Sequence, residues 1–151
     1  MNEKSEIFSN CEKDAVKLLT RKDYSKFKLA QKLEEKGHDA NLINDVIEDL
    51  RGRKLFREDW YIEARIRGLI RKHYGPEVIS LKLQQEEIYV NETEILDIYQ
   101  EVEITQEDQI RNLVQKKYSH IDNIDFNTKQ KILRFLHSKG HYLENLSKYL
   151  D

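Results

Sequence analysis

The sequence predicts an all-α protein made of three tandem three-helix repeats. Three observations carry that expectation. The tripeptide Lys-Gly-His occurs at 36–38 and again at 139–141, each time closing an apolar-periodic run. The offset of 103 positions leaves room for a third copy, and a degraded one lies around Leu81–Ile88. Only one proline and five glycines interrupt the 151 residues, so long helices are allowed and a β-rich fold is not expected. Charged residues reach 36% against 38% apolar, a balance that suits thin helical layers with much exposed surface better than a thick core. Arrays of this kind bind partners rather than catalyse.

The elements follow in order. Ala15, Leu18 and Leu19 place a helix over about 11 to 22, preceded by an extension at 1–13. Tyr24-Ser25 breaks it, and Ser25 can cap the next helix by accepting from its free N–H groups. That helix carries Leu29 and Leu33 one turn apart, with Phe27 and Ala30 beside them. Gly37 then sits where a left-handed residue is wanted. Leu42, Ile43, Val46, Ile47 and Leu50 mark one buried face of a third helix, ended by Gly52. These elements make repeat 1, residues 14–52.

Repeat 2, residues 53–103, opens at Glu58-Asp59, two acids well placed against a helix N-terminal dipole. Its first helix has Tyr61, Ala64, Ile66, Leu69 and Ile70 as apolar positions. Tyr74-Gly75-Pro76 stops that helix and starts another, since proline is tolerated at the first helical position. Ile79, Leu83 and Ile88 continue the stripe. Asn91 with Glu94 resembles a capping box before Ile95, Ile98 and Tyr99. Repeat 3, residues 104–151, begins at Thr105 with Asp108 three positions on. Ile110, Leu113 and Val114 follow, then a polar loop from Ser119 to Asp125, then Ile132 to Leu136 closed by Gly140. Leu143, Leu146, Tyr149 and Leu150 predict a last helix, the ninth. Leu29, Leu33, Gly37, His38 and Ile43 align without a gap on Ile132, Leu136, Gly140, His141 and Leu146. In the middle copy Ile79, Leu83, Glu87 and Ile88 take the first four places. Glu87 replaces the glycine, so that helix must end by another route or run on.

The net charge of −2 conceals an asymmetry. From Arg51 to Tyr74 eight bases face three acids, a net of +5, whereas from Gln84 to Asp108 there are nine acids and no lysine or arginine. Trp60, Tyr61 and Tyr74 interleave with the bases of the first stretch, a mixture that serves stacking and phosphate contact. Arg67 and Arg71 share a helix face one turn apart. The partner- or DNA-binding residues are therefore expected to be Arg53, Lys54, Arg57, Arg65, Arg67, Arg71 and Lys72.

No grouping points to catalysis. Neighbouring acid pairs such as Glu34-Glu35 and Glu86-Glu87 diverge on a helix, and Cys11 has no nearby histidine and acid to activate it. His137 and His141 have a metal-site spacing, but Gly140 ends the helix between them and no cysteine or third histidine is near. No glycine-rich phosphate loop is present. No metal, no cofactor and no enzyme activity are expected. The single cysteine fits a reducing cytoplasm. The start lacks a signal-peptide pattern, and no run approaches the roughly 18 apolar residues of a membrane span. A soluble cytoplasmic protein with no membrane partner is expected.

Taken together in order, these motifs resemble the RecX family, bacterial regulators of the RecA recombinase. The resemblance spans about 14 to 150. It rests on Ala15, Leu18-Leu19, Arg21 and Tyr24-Ser25 leading into Leu29, Lys32-Leu33 and Lys36-Gly37. It rests also on Phe56, Asp59, Tyr61, Ala64-Arg65 and Arg67, then Tyr74-Gly75-Pro76, Ile79 and Leu83. Lys117-Tyr118 and the run Lys131-Ile132-Leu133-Arg134-Phe135-Leu136 before Lys139-Gly140 complete it. The chain departs from the family pattern at Glu77-Val78, where bases often follow the Gly-Pro pair, and at Glu86-Glu87. These changes leave the helix from Glu58 to Lys72 as the better binding candidate.

The resemblance implies three three-helix units in an elongated, curved array, acting as a monomer and without enzyme activity. It implies binding in the groove of the RecA–single-stranded DNA filament, with restraint of filament growth, strand exchange and the coprotease activity behind the SOS response, and so a part in homologous recombination and DNA repair. It implies that single- or double-stranded DNA is a further partner. The alternative from the residues alone is a stand-alone helix-turn-helix-like nucleic-acid-binding module, and a plain helical scaffold is the third reading. The acidic stretch after Gln84 speaks against a long, uniformly basic DNA track.

Overall fold

Apolar residues spaced three and four apart give each segment one stripe to bury, and eight α-helices result among the described residues. A computed structural model describes residues 3–119 and 123–150. The helices are α1 (Glu3–Arg21), α2 (Lys26–Glu35), α3 (Ala40–Gly52), α4 (Glu58–Arg71), α5 (Pro76–Gln84), α6 (Glu92–Val102), α7 (Gln106–Tyr118) and α8 (Phe126–Ser138). No strand forms among the described residues. Two compact units divide the chain. The first is Met1–Ala64 with Glu86–Ile88, and the second is Arg65–Gln85 with Tyr89–Asp151, so the sequence of α4 contributes to both.

In the first unit α1, α2 and α3 pack on one another. Cys11, Ala15, Leu29, Leu33, Val46, Ile47 and Leu50 are fully enclosed there, with Phe8 packed against them. Helix α1 starts at Glu3 rather than near 11, because Phe8, Cys11 and Ala15 continue the stripe backwards into the expected extension. In the second unit α5 packs on α6, and α7 packs on α8 and on the C-terminal turn. Ile110, Val114, Ile132, Leu136 and Leu146 form a buried cluster of that unit.

The expected N-cap bonds are in place, with Asn91 and Glu94 forming one arm of the expected capping box. Ser25 Oγ accepts from Lys28 N at 3.1 Å. Asn91 Oδ1 accepts from Glu94 N at 2.9 Å. Thr105 and Asp108 form a reciprocal capping box. Pro76 occupies the first turn of α5 behind Gly75.

The Lys-Gly-His signature is a helix-ending motif. Gly37 N donates to Glu34 O at 2.9 Å and His38 N to Leu33 O at 3.2 Å; Gly140 N donates to His137 O and His141 N to Leu136 O, both at 2.9 Å. Both glycines are left-handed, at φ +93° and +94°. In the middle copy Glu87 itself takes the left-handed position, φ 58°, so α5 ends without a glycine. Gly75 is required for a different reason. Its N–H donates to Lys139 O at 2.8 Å, and a Cβ there would collide with the carbonyl of Gly140.

One expected element differs. The ninth helix is a single 3-10 turn, Ser147–Tyr149. Leu143, Leu146 and Tyr149 recur every third residue, the period of a 3-10 turn, and Asn145 Oδ1 accepts from Ser147 N at 2.9 Å. The polar loop from Ser119 to Asp125 falls partly outside the described residues.

Candidate functional site

The corner between α3 and α4, in the first unit, is built around a left-handed Lys54, φ 61°. Lys54 N donates to Arg51 O at 3.0 Å and Leu55 N to Leu50 O at 2.9 Å, which turns the chain sharply. Phe56, 2% exposed, anchors the turn in the core. Arg57 Nε then donates to Lys54 O at 3.2 Å, and its guanidinium lies 4.2 Å from the centre of the Trp60 ring. Trp60 remains 54% exposed. A concavity of about 470 Å³ opens here, lined by Arg51, Lys54, Arg57 and Trp60, with Glu58 and Asp59 on its wall. A large exposed ring under a guanidinium, beside an ammonium, can take a planar group on one side and an anion on the other.

The other bases differ in commitment. Arg53 is held between Glu12 at 3.2 Å and Asp49 at 2.9 Å, and the bond to Glu12 is the main cause of its raised pKa. In the second unit Arg65 is half-buried, and Arg67 pairs with Glu101 at 2.7 Å. Arg71 and Lys72 are exposed at the end of α4. Among the described residues, Lys54, Arg57, Arg71 and Lys72 make no ion pair. Of the seven expected binding residues, Arg53, Lys54 and Arg57 thus lie in the first unit and Arg65, Arg67, Arg71 and Lys72 in the second.

A polar cluster closes the end of α4 within the second unit. Gln109 is fully buried; its Nε2 donates to Ile70 O and Tyr74 O, both at 3.0 Å. The Tyr99 hydroxyl donates to Tyr74 O at 2.7 Å and lies 3.0 Å from Gln109 Oε1. Burial pushes the Tyr99 phenol up to about 12. His141, 1% exposed, donates from Nε2 to His73 O at 2.8 Å, and burial holds its pKa below the ordinary value of 6.5. These groups complete the α4 end, whose last carbonyls have no partner within the helix.

His137 and His141 do not converge. His137 stands edge-on to Tyr142 at 4.3 Å, while His141 is committed to His73. No group of three metal-ligating side chains occurs among the described residues. None of their helices is long and apolar enough to cross a membrane.

A model of the first three-helix domain of RecX matches residues 11–50. The Regulatory protein RecX of Legionella pneumophila (strain Corby) is 30% identical over 138 residues, covering 89% of this chain and 88% of that one. The chain belongs to the RecX family. The Regulatory protein RecX of Mannheimia succiniciproducens is 27% identical, covering 90% of this chain and 89% of its own. Two crystal structures share the fold. One of regulatory protein RecX has a TM-score of 0.77 at 19% identity, covering 97% of this chain and 72% of that one. RecX from Lactobacillus salivarius has a TM-score of 0.66 at 20% identity, covering 93% and 91%. The fold is all-helical, and the family is one of regulatory proteins.

Of the residues where the resemblance is interrupted, Val78 and Glu86 are packing residues, whereas Glu77 and Glu87 are exposed. A Cβ at Gly140 would stand 2.9 Å from Val78 Cγ2, so Val78 seats the α8 end. Glu86 is only 6% exposed; it accepts from the Ser25 and Tyr61 hydroxyls and pairs with Lys28 at 3.3 Å. Sequence reasoning placed neither. Nor did it place Gln109, whose one signal is its position four residues before Leu113 on a buried stripe.

Proposed function

We propose that this chain regulates RecA without enzyme activity, binding in the groove of the RecA–single-stranded DNA filament and restraining recombination and SOS coprotease activity. The observation that carries the reading is membership of the RecX family across nearly nine-tenths of the chain. The contacts are made by the basic stretch around α4: Lys54, Arg57, Arg71 and Lys72 foremost, since they are exposed and make no ion pair among the described residues. Arg53, Arg65 and Arg67 must exchange internal partners to join them. The repeats run 14–52, 53–103 and 104–151, and the protein works as a cytoplasmic monomer alongside RecA.

The test is RecA itself. ATP hydrolysis and strand exchange by the cognate RecA on single-stranded DNA should fall when this protein is added at stoichiometric amounts, and the fall should weaken as salt rises. No effect together with no filament binding would falsify the proposal.

A second reading, a stand-alone nucleic-acid-binding module, draws support from Trp60. An exposed ring under Arg57 and next to Lys54 suits a stacked base and a phosphate. The chain has a single tryptophan, so quenching of its fluorescence by single-stranded DNA without RecA reads this directly. Tight, sequence-selective duplex binding in the absence of RecA would favour this reading over the first.

A further inference from the structure

We propose that the corner between α6 and α7 is a docking groove for a basic amphipathic helix of a partner protein. The groove, about 580 Å³, is walled by Leu96, Tyr99 and Ile104. Leu96 is 41% exposed, although its helix neighbours Ile95, Ile98 and Tyr99 are buried. The corner is held by backbone hydrogen bonds. Left-handed Glu103 turns the chain through Glu103 N to Gln100 O and Ile104 N to Tyr99 O, both 3.2 Å, and the Thr105–Asp108 capping box fixes the exit. Behind the groove the Tyr99 hydroxyl is tied to Tyr74 O.

The charge around the groove names the occupant. The segment from Gln84 to Asp108 carries nine acids and no base. Glu103 lines the groove itself, and Glu92 lies one turn before Leu96 on α6; both are exposed. Other acids are committed: Glu101 to Arg67, and Asp108 to Thr105 N. An apolar slot edged by carboxylates repels nucleic acid and anionic membrane. It accepts a helix that presents Leu, Ile or Met at helical spacing with Lys or Arg beside them. No residue of the basic stretch lines the groove, and the proposal does not rest on the RecA reading.

The test titrates the 15N-labelled full chain with a synthetic amphipathic helix of roughly 18 Leu and Lys residues, about five turns. A scrambled peptide of the same composition is the control. Amide shifts are expected at Leu96, Gln100, Ile104 and Gln106. The scrambled peptide should bind about tenfold or more weakly, and Leu96→Asp should weaken the helical peptide by a similar factor. The double change Glu92→Gln and Glu103→Gln should weaken it several-fold, roughly, and flatten its salt dependence. Equal binding of both peptides, binding of neither, or shifts centred elsewhere overturns the proposal. So does concentration-dependent self-association that Leu96→Asp abolishes, because the occupant is then a second copy.

Discussion

At the end of α5, Glu87 adopts φ 58° where its counterparts Gly37 and Gly140 adopt +93° and +94°. An L-residue in that region is disfavoured by roughly 1–2 kcal/mol, so Glu87→Gly should raise stability by up to about 1 kcal/mol once glycine's extra unfolded-state entropy is subtracted. Denaturant melts check this, and a loss of stability would show that the Glu87 side chain makes a contact that matters more. Gly75 and Gly37 make a contrasting pair. A Cβ at Gly37 meets nothing within 4 Å, whereas one at Gly75 runs into the Gly140 backbone. Gly37→Ala should cost about 1–2 kcal/mol from its dihedral alone. Gly75→Ala should cost more, about 3 kcal/mol or above, because backbone rather than a flexible side chain must move. The reverse order in thermal melts refutes the close-packed corner. The histidines set an acid limit. Burial lowers the pKa of His141, and burial with Lys116 and Lys139 nearby lowers that of His73. The unfolded chain therefore takes up these protons first: the contribution of the two histidines to stability is level above pH 6.5 and falls as pH drops below it. His141→Gln, which keeps a donor, should flatten that fall in a pH series of melts.

Among the elements, the legible parts were those written in local grammar. Ser25, Asn91 and Thr105 announce helix starts by residue type, and the stripes through Leu29, Ile47 and Leu136 announce burial by spacing. Leu33→Ala or Leu136→Ala should each cost about 2–5 kcal/mol, since both side chains are fully buried. A melt unchanged from wild type would contradict the core. The C-terminal segment was misread because a spacing of three serves a 3-10 turn as well as a helix. The start of α1 was misread because Phe8 and Cys11 join the stripe only once α2 and α3 are present to bury them. Gln109 and Glu86 were illegible for a stronger reason. Their partners, Ile70 O and Tyr74 O for one and Ser25 and Tyr61 for the other, lie between 25 and 61 positions away along the chain.

For the whole molecule, charge was readable in sequence but its disposition was not. The run from Arg51 to Lys72 looked like one basic track. The structure divides its seven binding candidates between two units and ties Arg53 and Arg67 into ion pairs. The variants that follow are specific: Lys54→Ala with Arg57→Ala in the first unit, and Arg71→Ala with Lys72→Ala in the second. Helical content should stay intact in all of them, since every one of these side chains is exposed. The central claim is that the protein engages the RecA filament through these bases. Its most direct measurement is co-sedimentation with cognate RecA filaments on single-stranded DNA, comparing wild type with the four-residue variant. Wild type should pellet with the filament at low salt, and the variant should remain in the supernatant with an unchanged circular dichroism spectrum. Equal pelleting of the two proteins, or no pelleting of wild type, contradicts the account.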